Sequence, residues 1–395
     1  MMIKILITGG NSRIALSVLR SLVKKRFLVT VASDNLNSLC FFSRFCTSKI
    51  IYPSPKSDKN AFKQFLLNYV CENKFDLLIP IDDLTLIPIS EIFFELSKYV
   101  KITMPKPQIY NKFYDKANML KLAESLNVKI PKSIYINDLD MLKNINCISS
   151  FPIIIKPRFS VYWRKNFVEM GFRKIIYSKS DLLPSYLFLH NKIPFPTIQE
   201  YIYGISWGVS VVAINGKIIQ SFCHKRVRET NFGGVVSCLS QSMSLNQDML
   251  NSVKKLIKSI NWTGVAMFEF IVDQNTNIPY FIEMNGRFWG SLELAIFSGI
   301  DFPIILIELF LYNKFRKPVN YEKNMLCRWL KGDIEWVYTI MKSKDFSIRY
   351  RLICLYNFFE LFKRNQCYCN FKRDDFLPGI WELFDLIFNF VRIKK

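Results

Sequence analysis

The chain has 395 residues, half of them hydrophobic and 15% aromatic, which excludes large-scale disorder and allows two or three domains around a sizeable core. Its formal net charge of +22 calls for anionic company, whether nucleotide phosphates, an acidic substrate or an anionic surface, unless it only reflects a Lys- and Asn-rich composition. Ten cysteines without a CxxC pair and only two histidines, His190 and His224, speak against a zinc site and predict reduced core cysteines in a cytoplasmic protein.

The first hundred residues alternate between strand and helix. "KILIT" reads as a strand, Gly9-Gly10-Asn11-Ser12 as a tight turn and "IALSVLRSLVKK" as a helix; "FLVTVAS", "NAFKQFLLNYVCEN" and "FDLLIPI" continue as strand, helix and strand. This is the βαβ pattern of a parallel, Rossmann-like sheet, assigned to residues 1–108. The turn lacks the third glycine of a dinucleotide fingerprint, so a structural turn is predicted, with a small anion at its N–H groups as the other reading. A helix over "YDKANMLKLAESLNVKIP" opens the second unit, 109–310, followed by the buried strand "FPIIIKP". The strands "TIQEYIYG", "GVSVVAI", "KIIQSFC", "GVAMFEFIV" and "PYFIEMN" then predict antiparallel sheet, with "LNSVKKLIKSI" as a helix between them. Residues 311–395 read as a helical, aromatic and basic extension. No stretch of about 18 apolar residues predicts a membrane span, and the opening "IKILIT" shows no charged leader before an apolar run.

The chemistry gathers in "GVAMFEF" and "YFIEMNGRFWG". Across the turn "DQNTN" these form a hairpin, which can bring Glu269 beside Glu283 and Asn285 on one face. Two carboxylates and an amide oxygen are hard ligands suited to Mg²⁺ (or Mn²⁺), which takes its remaining ligands from phosphate and water. Lys116, Lys156 and Arg287 are the cations available to phosphate. The plainer alternative is a solvated face of ion pairs, and the apolar neighbours of Glu269 argue against it. His224, Arg226 and Arg228 alternate in "CHKRVRE" and share a strand face; either arginine could hold a substrate carboxylate bidentately.

Together these segments resemble the ATP-grasp superfamily, specifically the carboxylate–amine ligases and carbamoyl phosphate synthetase-like proteins that begin with a preATP-grasp domain. The resemblance runs from the N-terminus to about residue 310. It implies ATP bound between two α+β subdomains, with Lys116 and Lys156 on its phosphates. It also implies main-chain contacts to adenine from Glu200 and Ile202 in "IQEYIYG", and Mg²⁺ on Glu269, Glu283 and Asn285. Arg287 would face the transferred phosphoryl group. The implied reaction is ATP-dependent ligation of a carboxylate to an amine through an acyl phosphate. A nucleotide-binding protein without catalysis, or a kinase, is the alternative, and no nucleic-acid partner is expected.

Two departures stand out. The stretch after Lys156, "RFSVYWRKNFVEMGF", is not a glycine-rich lid, so Arg158, Arg164 and Lys165 would have to supply charge instead. Ser206 stands where an acid usually holds the ribose. In the tail, "GIWELFDLIFNFVRIKK" (379–395) places Glu382, Asp385, Asn389 and Arg392 on one narrow stripe of an otherwise apolar helix. Packing within the chain is the first expectation for it, with membrane-surface contact or a homodimer interface as alternatives. Residues 312–395 carry 17 Lys and Arg against 9 Asp and Glu, which suits anionic lipid.

Overall fold

A computed structural model of the chain describes residues 2–142, 148, 150–164, 167–230, 236–315 and 317–393, with side chains up to residue 388. Strands β1 (Lys4–Ile7), β2 (Leu28–Ser33), β3 (Ser48–Ile51), β4 (Leu77–Ile79) and β5 (Lys101–Ile102) form a parallel sheet in the order 3-2-1-4-5. Helices cover both of its faces, which explains the buried apolar runs Ile5-Leu6-Ile7 and Leu77–Ile79 at its centre. Ile5 and Ile7 face the helix Arg13–Lys24, while Leu6 packs towards Phe62 and Leu66 of the helix Lys59–Asn73. At the first turn Gly9 takes a left-handed φ of +72°, which glycine adopts without penalty. Its N–H donates to the Tyr52 hydroxyl at 3.2 Å, and the Gly10 N–H to the Ala32 carbonyl at 3.0 Å. Ser12 caps the helix by accepting from the Ile14 N–H at 3.0 Å. The turn is therefore structural, and two N–H groups that an anion would need are already engaged.

Next come β6 (Ser133–Tyr135), β7 (Ile153–Lys156), a hairpin of β8 (Val161–Trp163) and β9 (Val168–Met170), β10 (Lys174–Ile176) and β11 (Thr197–Glu200). Four of these make an antiparallel sheet in the order 10-7-11-6, backed by the helix Lys179–Lys192. The helix expected from Tyr114 onward is Lys116–Ser125, and a further helix, Pro107–Tyr114, precedes it. Asp115 breaks them: its backbone is extended, and its Oδ1 caps the second helix by accepting from the Ala117 N–H at 3.0 Å.

The third sheet contains β12 (Gly204–Ile214), β13 (Lys217–Glu229), β14 (Ser237–Met243), β15 (Gly264–Asp273), β16 (Pro279–Asn285), β17 (Leu326–Arg328) and β18 (Gln366–Tyr368). Its order is 16-15-12-13-14-17-18. The extension after residue 310 is thus not wholly helical, because β17 and β18 lengthen this sheet. Its helices are Leu330–Lys342, Ile348–Phe359 and Leu377–Ile393. One buried core joins the first sheet to β12, β15, Cys327 and Cys369, so the extension is built into the same body.

Arg20 makes that attachment specific. Fully buried in the first helix, it donates to Asp375 Oδ2 at 2.8 Å and to the carbonyls of Cys369, Asn370 and Asp375 at 2.9, 3.0 and 2.7 Å. The tail helix docks with its polar side inward. Glu382 accepts from Trp329 Nε1 at 2.8 Å and from Asn370 Nδ2 at 2.6 Å, and Asp385 pairs with Lys331 at 3.2 Å. Trp381 stacks on Phe42 with ring centroids 4.2 Å apart. The expected packing within the chain is what the helix shows, with Leu377, Ile380, Phe384, Ile387 and Phe388 left facing outward. The side chains of Asn389 and Arg392 lie outside the described residues. Among the described residues no helix is long and apolar enough to cross a membrane.

Candidate functional site

Four strands line up one row of residues. His224 on β13 stands opposite Gly208 on β12, Gly208 opposite Glu269 on β15, and Glu269 opposite Glu283 on β16. Directly opposed residues in antiparallel strands project to the same face, so the row aims both carboxylates at one place. Gly208 is needed between them: a Cβ there would come within 2.3 Å of His224 Cε1. Asn285 completes the group, its Nδ2 3.3 Å from Glu269 Oε1 and 3.3 Å from Glu283 Oε1. The hairpin turn is fixed by Asp273, whose Oδ1 accepts from the N–H groups of Asn275 and Thr276 at 3.0 and 2.8 Å.

Cations close over this group from two sides. Lys116, at the start of its helix, lies 2.7 Å from Glu283 Oε2. Arg226 lies 2.7 Å from Glu269 Oε2 and 3.2 Å from Glu229 Oε1. Lys156 ends β7 and donates to the buried Gln199 Oε1 at 2.7 Å. Burial, then the charges of Arg173 and Lys116, bring the Lys156 ammonium down to about 7. The two carboxylates differ. Burial raises Glu269, with Arg226 opposing and Glu283 reinforcing the rise. Burial acts upward on Glu283 too, but Lys116, Lys156 and the Asn285 amide outweigh it and hold the group below the usual carboxylate range. His224 is buried, bonds Ser291 Oγ through Nε2 at 2.9 Å, and is pushed down to about 3 by burial and Arg226. It stands as a neutral wall residue.

The structure thus brings Lys116, Arg226, Glu269, Glu283 and Asn285 together, with Lys156 close enough to feel their charges. Arg287 is turned towards the first sheet. It holds Asp83 through Nε and Nη2 at 3.0 and 3.1 Å, and its Nη2 also reaches Asn285 Oδ1 at 3.3 Å. Arg228 is elsewhere. The β13–β14 register shifts between Arg226 and Arg228, and Arg228 binds the buried Asp333 bidentately at 2.7 and 2.6 Å. Of the two arginines expected for a substrate carboxylate, this one is clamped to the C-terminal extension. Ser206 lies on β12 opposite Ile271, on the face of Glu269 and one alternation away. Ile202 is buried, and the Glu200 N–H already donates to the Lys132 carbonyl at 2.9 Å. Any adenine contact from Glu200 therefore falls to its carbonyl.

The cations expected in the lid are engaged at its base. Arg158 Nε bonds both Asp115 oxygens at 3.1 Å, and Arg164 Nη2 bonds the Lys192 carbonyl at 2.9 Å. Lys165 and the turn Gly233-Gly234 lie outside the described residues. Sequence reasoning missed Asp83, Gln199, Asp115 as a clamp, and Asp333. The acidic pair Asp82-Asp83 directly after the strand "LLIPI" was the available signal for the first.

Residues 195–333 match the family described as "ATP-grasp in the biosynthetic pathway with Ter operon". The N5-carboxyaminoimidazole synthetase from Staphylococcus aureus complexed with ADP has the same fold, with a TM-score of 0.64 at 18% identity over 82% of each chain. Over residues 195–333 the chain is thus similar to an ATP-grasp family. A second likeness in fold is to the biotin carboxylase domain of Hydrogenobacter thermophilus 2-oxoglutarate carboxylase, solved as a dimer with MgADP, ADP and bicarbonate. It gives a TM-score of 0.65 at 15% identity, covering 82% of this chain and 74% of that one. A D-alanine–D-alanine ligase from Rickettsia peacockii (strain Rustic) is 26% identical over 201 residues, 46% of this chain. The alignment spans 58% of that ligase's length. The family match takes in the row of Glu269, Glu283, Asn285 and Arg287, whereas Lys116 and Lys156 lie before it.

Proposed function

We propose that the protein is an ATP-dependent ligase that joins a carboxylate to an amine through an acyl phosphate. The observation that carries this reading is the convergence of Glu269, Glu283 and Asn285 on adjacent strands, with Lys116 at 2.7 Å and Lys156 at the end of β7. The donor set fits Mg²⁺. Among the described residues no three His, Cys, Asp or Glu side chains make a metal cluster, and Mg²⁺ needs few protein ligands beside phosphate. The amide of Asn285 now turns its N–H₂ to both carboxylates; rotated by half a turn it presents Oδ1 instead, giving up the 3.3 Å contact from Arg287 Nη2. The bound metal would neutralise phosphate charge during transfer.

The chain's own groups do the rest. Lys116 and Lys156 hold phosphate oxygens, and the low value of Lys156 is the mark of a cation waiting for a negative partner. The carbonyl of Glu200 and the main chain at Ile202 receive the adenine, and Ser206 receives one ribose hydroxyl. Arg287, oriented by Asp83, stands beside Asn285 to meet the phosphoryl group as it leaves ATP. Arg226, now 2.7 Å from Glu269, would be available to a substrate carboxylate if Glu269 were engaged with Mg²⁺. Positioning and charge neutralisation account for catalysis of this kind. A groove of about 570 Å³ beside Gly290, walled by Arg13, Trp329, Lys331 and Trp381, offers room for the acid and the amine.

The second reading, a nucleotide-binding protein that does not turn over, draws on one observation: the lid is an aromatic hairpin whose arginines are tied to Asp115 and Lys192. Measuring ADP and phosphate release with panels of acids and amines separates the two. The ligase releases both only when an acid and an amine are present together, and Lys156→Ala and Glu283→Gln abolish release. A single phosphorylated product identifies a kinase, and nucleotide binding with no turnover across the panel overturns the ligase.

A further inference from the structure

The helix Ile348–Phe359 packs by its narrow inner side, where Cys354 is buried, against the helix Leu330–Lys342. Its outer side is apolar and open. Ile348 is 75% exposed, Leu352 60%, Tyr356 71% and Phe359 64%, and Phe362 just beyond the helix is 94% exposed. The spacing of four, four and three residues makes one stripe along the helix. A water-facing stripe of this size marks an interaction surface.

The charge around it selects the partner. The helix itself contains no acid. Over residues 342–364 the chain carries six Lys and Arg against two Asp and Glu, and Lys342, Lys344, Arg349, Lys363 and Arg364 are exposed. A second copy would have to bring the same basic rim against itself, because a two-fold interface repeats one patch on both sides. An anionic lipid surface meets both features at once: aromatic and aliphatic groups enter the headgroup boundary while Lys and Arg sit among the phosphates. The helix has 12 residues, so it is about 18 Å long, too short to span a bilayer but suited to lying in its plane.

We propose that the surface built on Ile348–Phe359 and Phe362 docks this protein onto an anionic membrane. It is independent of the ligase reading, since none of these residues belongs to the ATP site. The tail helix Leu377–Ile393 is not required, because its Glu382 is held inward by Trp329 and Asn370 and its neighbours Asp374 and Asp375 are acidic.

Flotation of the full chain with vesicles tests this. Binding is expected to phosphatidylcholine vesicles that contain phosphatidylglycerol, to be absent with phosphatidylcholine alone, and to weaken as salt is raised. Phe359→Ser with Phe362→Ser lowers the bound fraction about tenfold or more by removing the inserted groups. Both side chains are exposed, so the melting temperature stays unchanged. Lys363→Glu with Arg364→Glu weakens binding to the anionic vesicles in particular. Equal binding by the variants and the parent overturns the proposal, as does no binding to anionic vesicles. Release by glycerol phosphate at matched ionic strength also overturns it, by showing a free headgroup site. A dimer without lipid that the double serine variant dissolves shows instead that the surface pairs two copies.

Discussion

Replacing Arg20 with alanine should be the most damaging single change outside the ATP site. Arg20 and Asp375 side chains are each 1% exposed, so the pair is shielded from solvent. Alanine leaves the Asp375 carboxylate with only Ser43 Oγ at 2.7 Å and the Arg44 N–H at 2.9 Å. It also strips a donor from the carbonyls of Cys369, Asn370 and Asp375. Removing one partner of a buried ion pair costs about 3–5 kcal/mol, because the remaining charge is desolvated without compensation. Three acceptors losing their donor hold the value at the upper part of that range unless water enters. Urea unfolding of Arg20→Ala should therefore show a midpoint well below the parent's with a similar slope. Arg20→Met with Asp375→Leu should recover much of the loss, since no charge is then buried. A single variant within about 0.5 kcal/mol of the parent would refute the claim that this clamp holds the C-terminal extension to the first sheet.

The buried His224 should make the protein less stable in acid. Its folded value of about 3 lies below the ordinary 6.5, so the unfolded chain binds more protons between those values and stability falls as pH drops below 6.5. By about pH 5 the loss is ~2 kcal/mol; chemical denaturation across pH should show it, and His224→Gln should flatten it. For Lys156, lowered from 10.5 to about 7, the free protein is largely neutral there at pH 8. Nucleotide binding then takes up a proton, which calorimetry in buffers of different ionisation enthalpy detects, and affinity declines as pH rises above 7. Lys156→Arg should abolish the uptake. Gly208→Ala, which would place a Cβ 2.3 Å from His224 Cε1, should cost about 1–3 kcal/mol and weaken Mg²⁺-dependent nucleotide binding by shifting the Glu269 row.

Much of this molecule was legible because its strands obey simple periodicities. The first sheet is covered on both faces, so the run Ile5-Leu6-Ile7 inside "KILIT" and Leu77-Leu78-Ile79 inside "FDLLI" had to be continuously apolar. The hairpin of β15 and β16 was readable from a turn of known chemistry between two strand patterns, and it forced Glu269 towards Glu283. The limits came where a residue's partner lies far along the chain. Arg228 alternates with Arg226 in sequence, but a register shift against β14 and the buried Asp333, 105 residues away, take it out of the row. Arg287 was legible as a cation next to Asn285, but not that Asp83, 204 residues earlier, orients it. The polar stripe of the tail helix was visible, but not that Trp329, Asn370 and Lys331 would turn it inward. Single apolar-helix charges such as Arg20 give no hint of their partner.

The central claim is that Lys116, Lys156, Glu269, Glu283 and Asn285 form one metal-assisted nucleotide site. Isothermal titration of the full chain with ATP, with and without Mg²⁺, tests it most directly. The account predicts Mg²⁺-dependent binding, weakened by Lys156→Ala and made insensitive to Mg²⁺ by Glu283→Gln with Glu269→Gln. Absence of binding at millimolar ATP and Mg²⁺, or binding that neither variant alters, would contradict it.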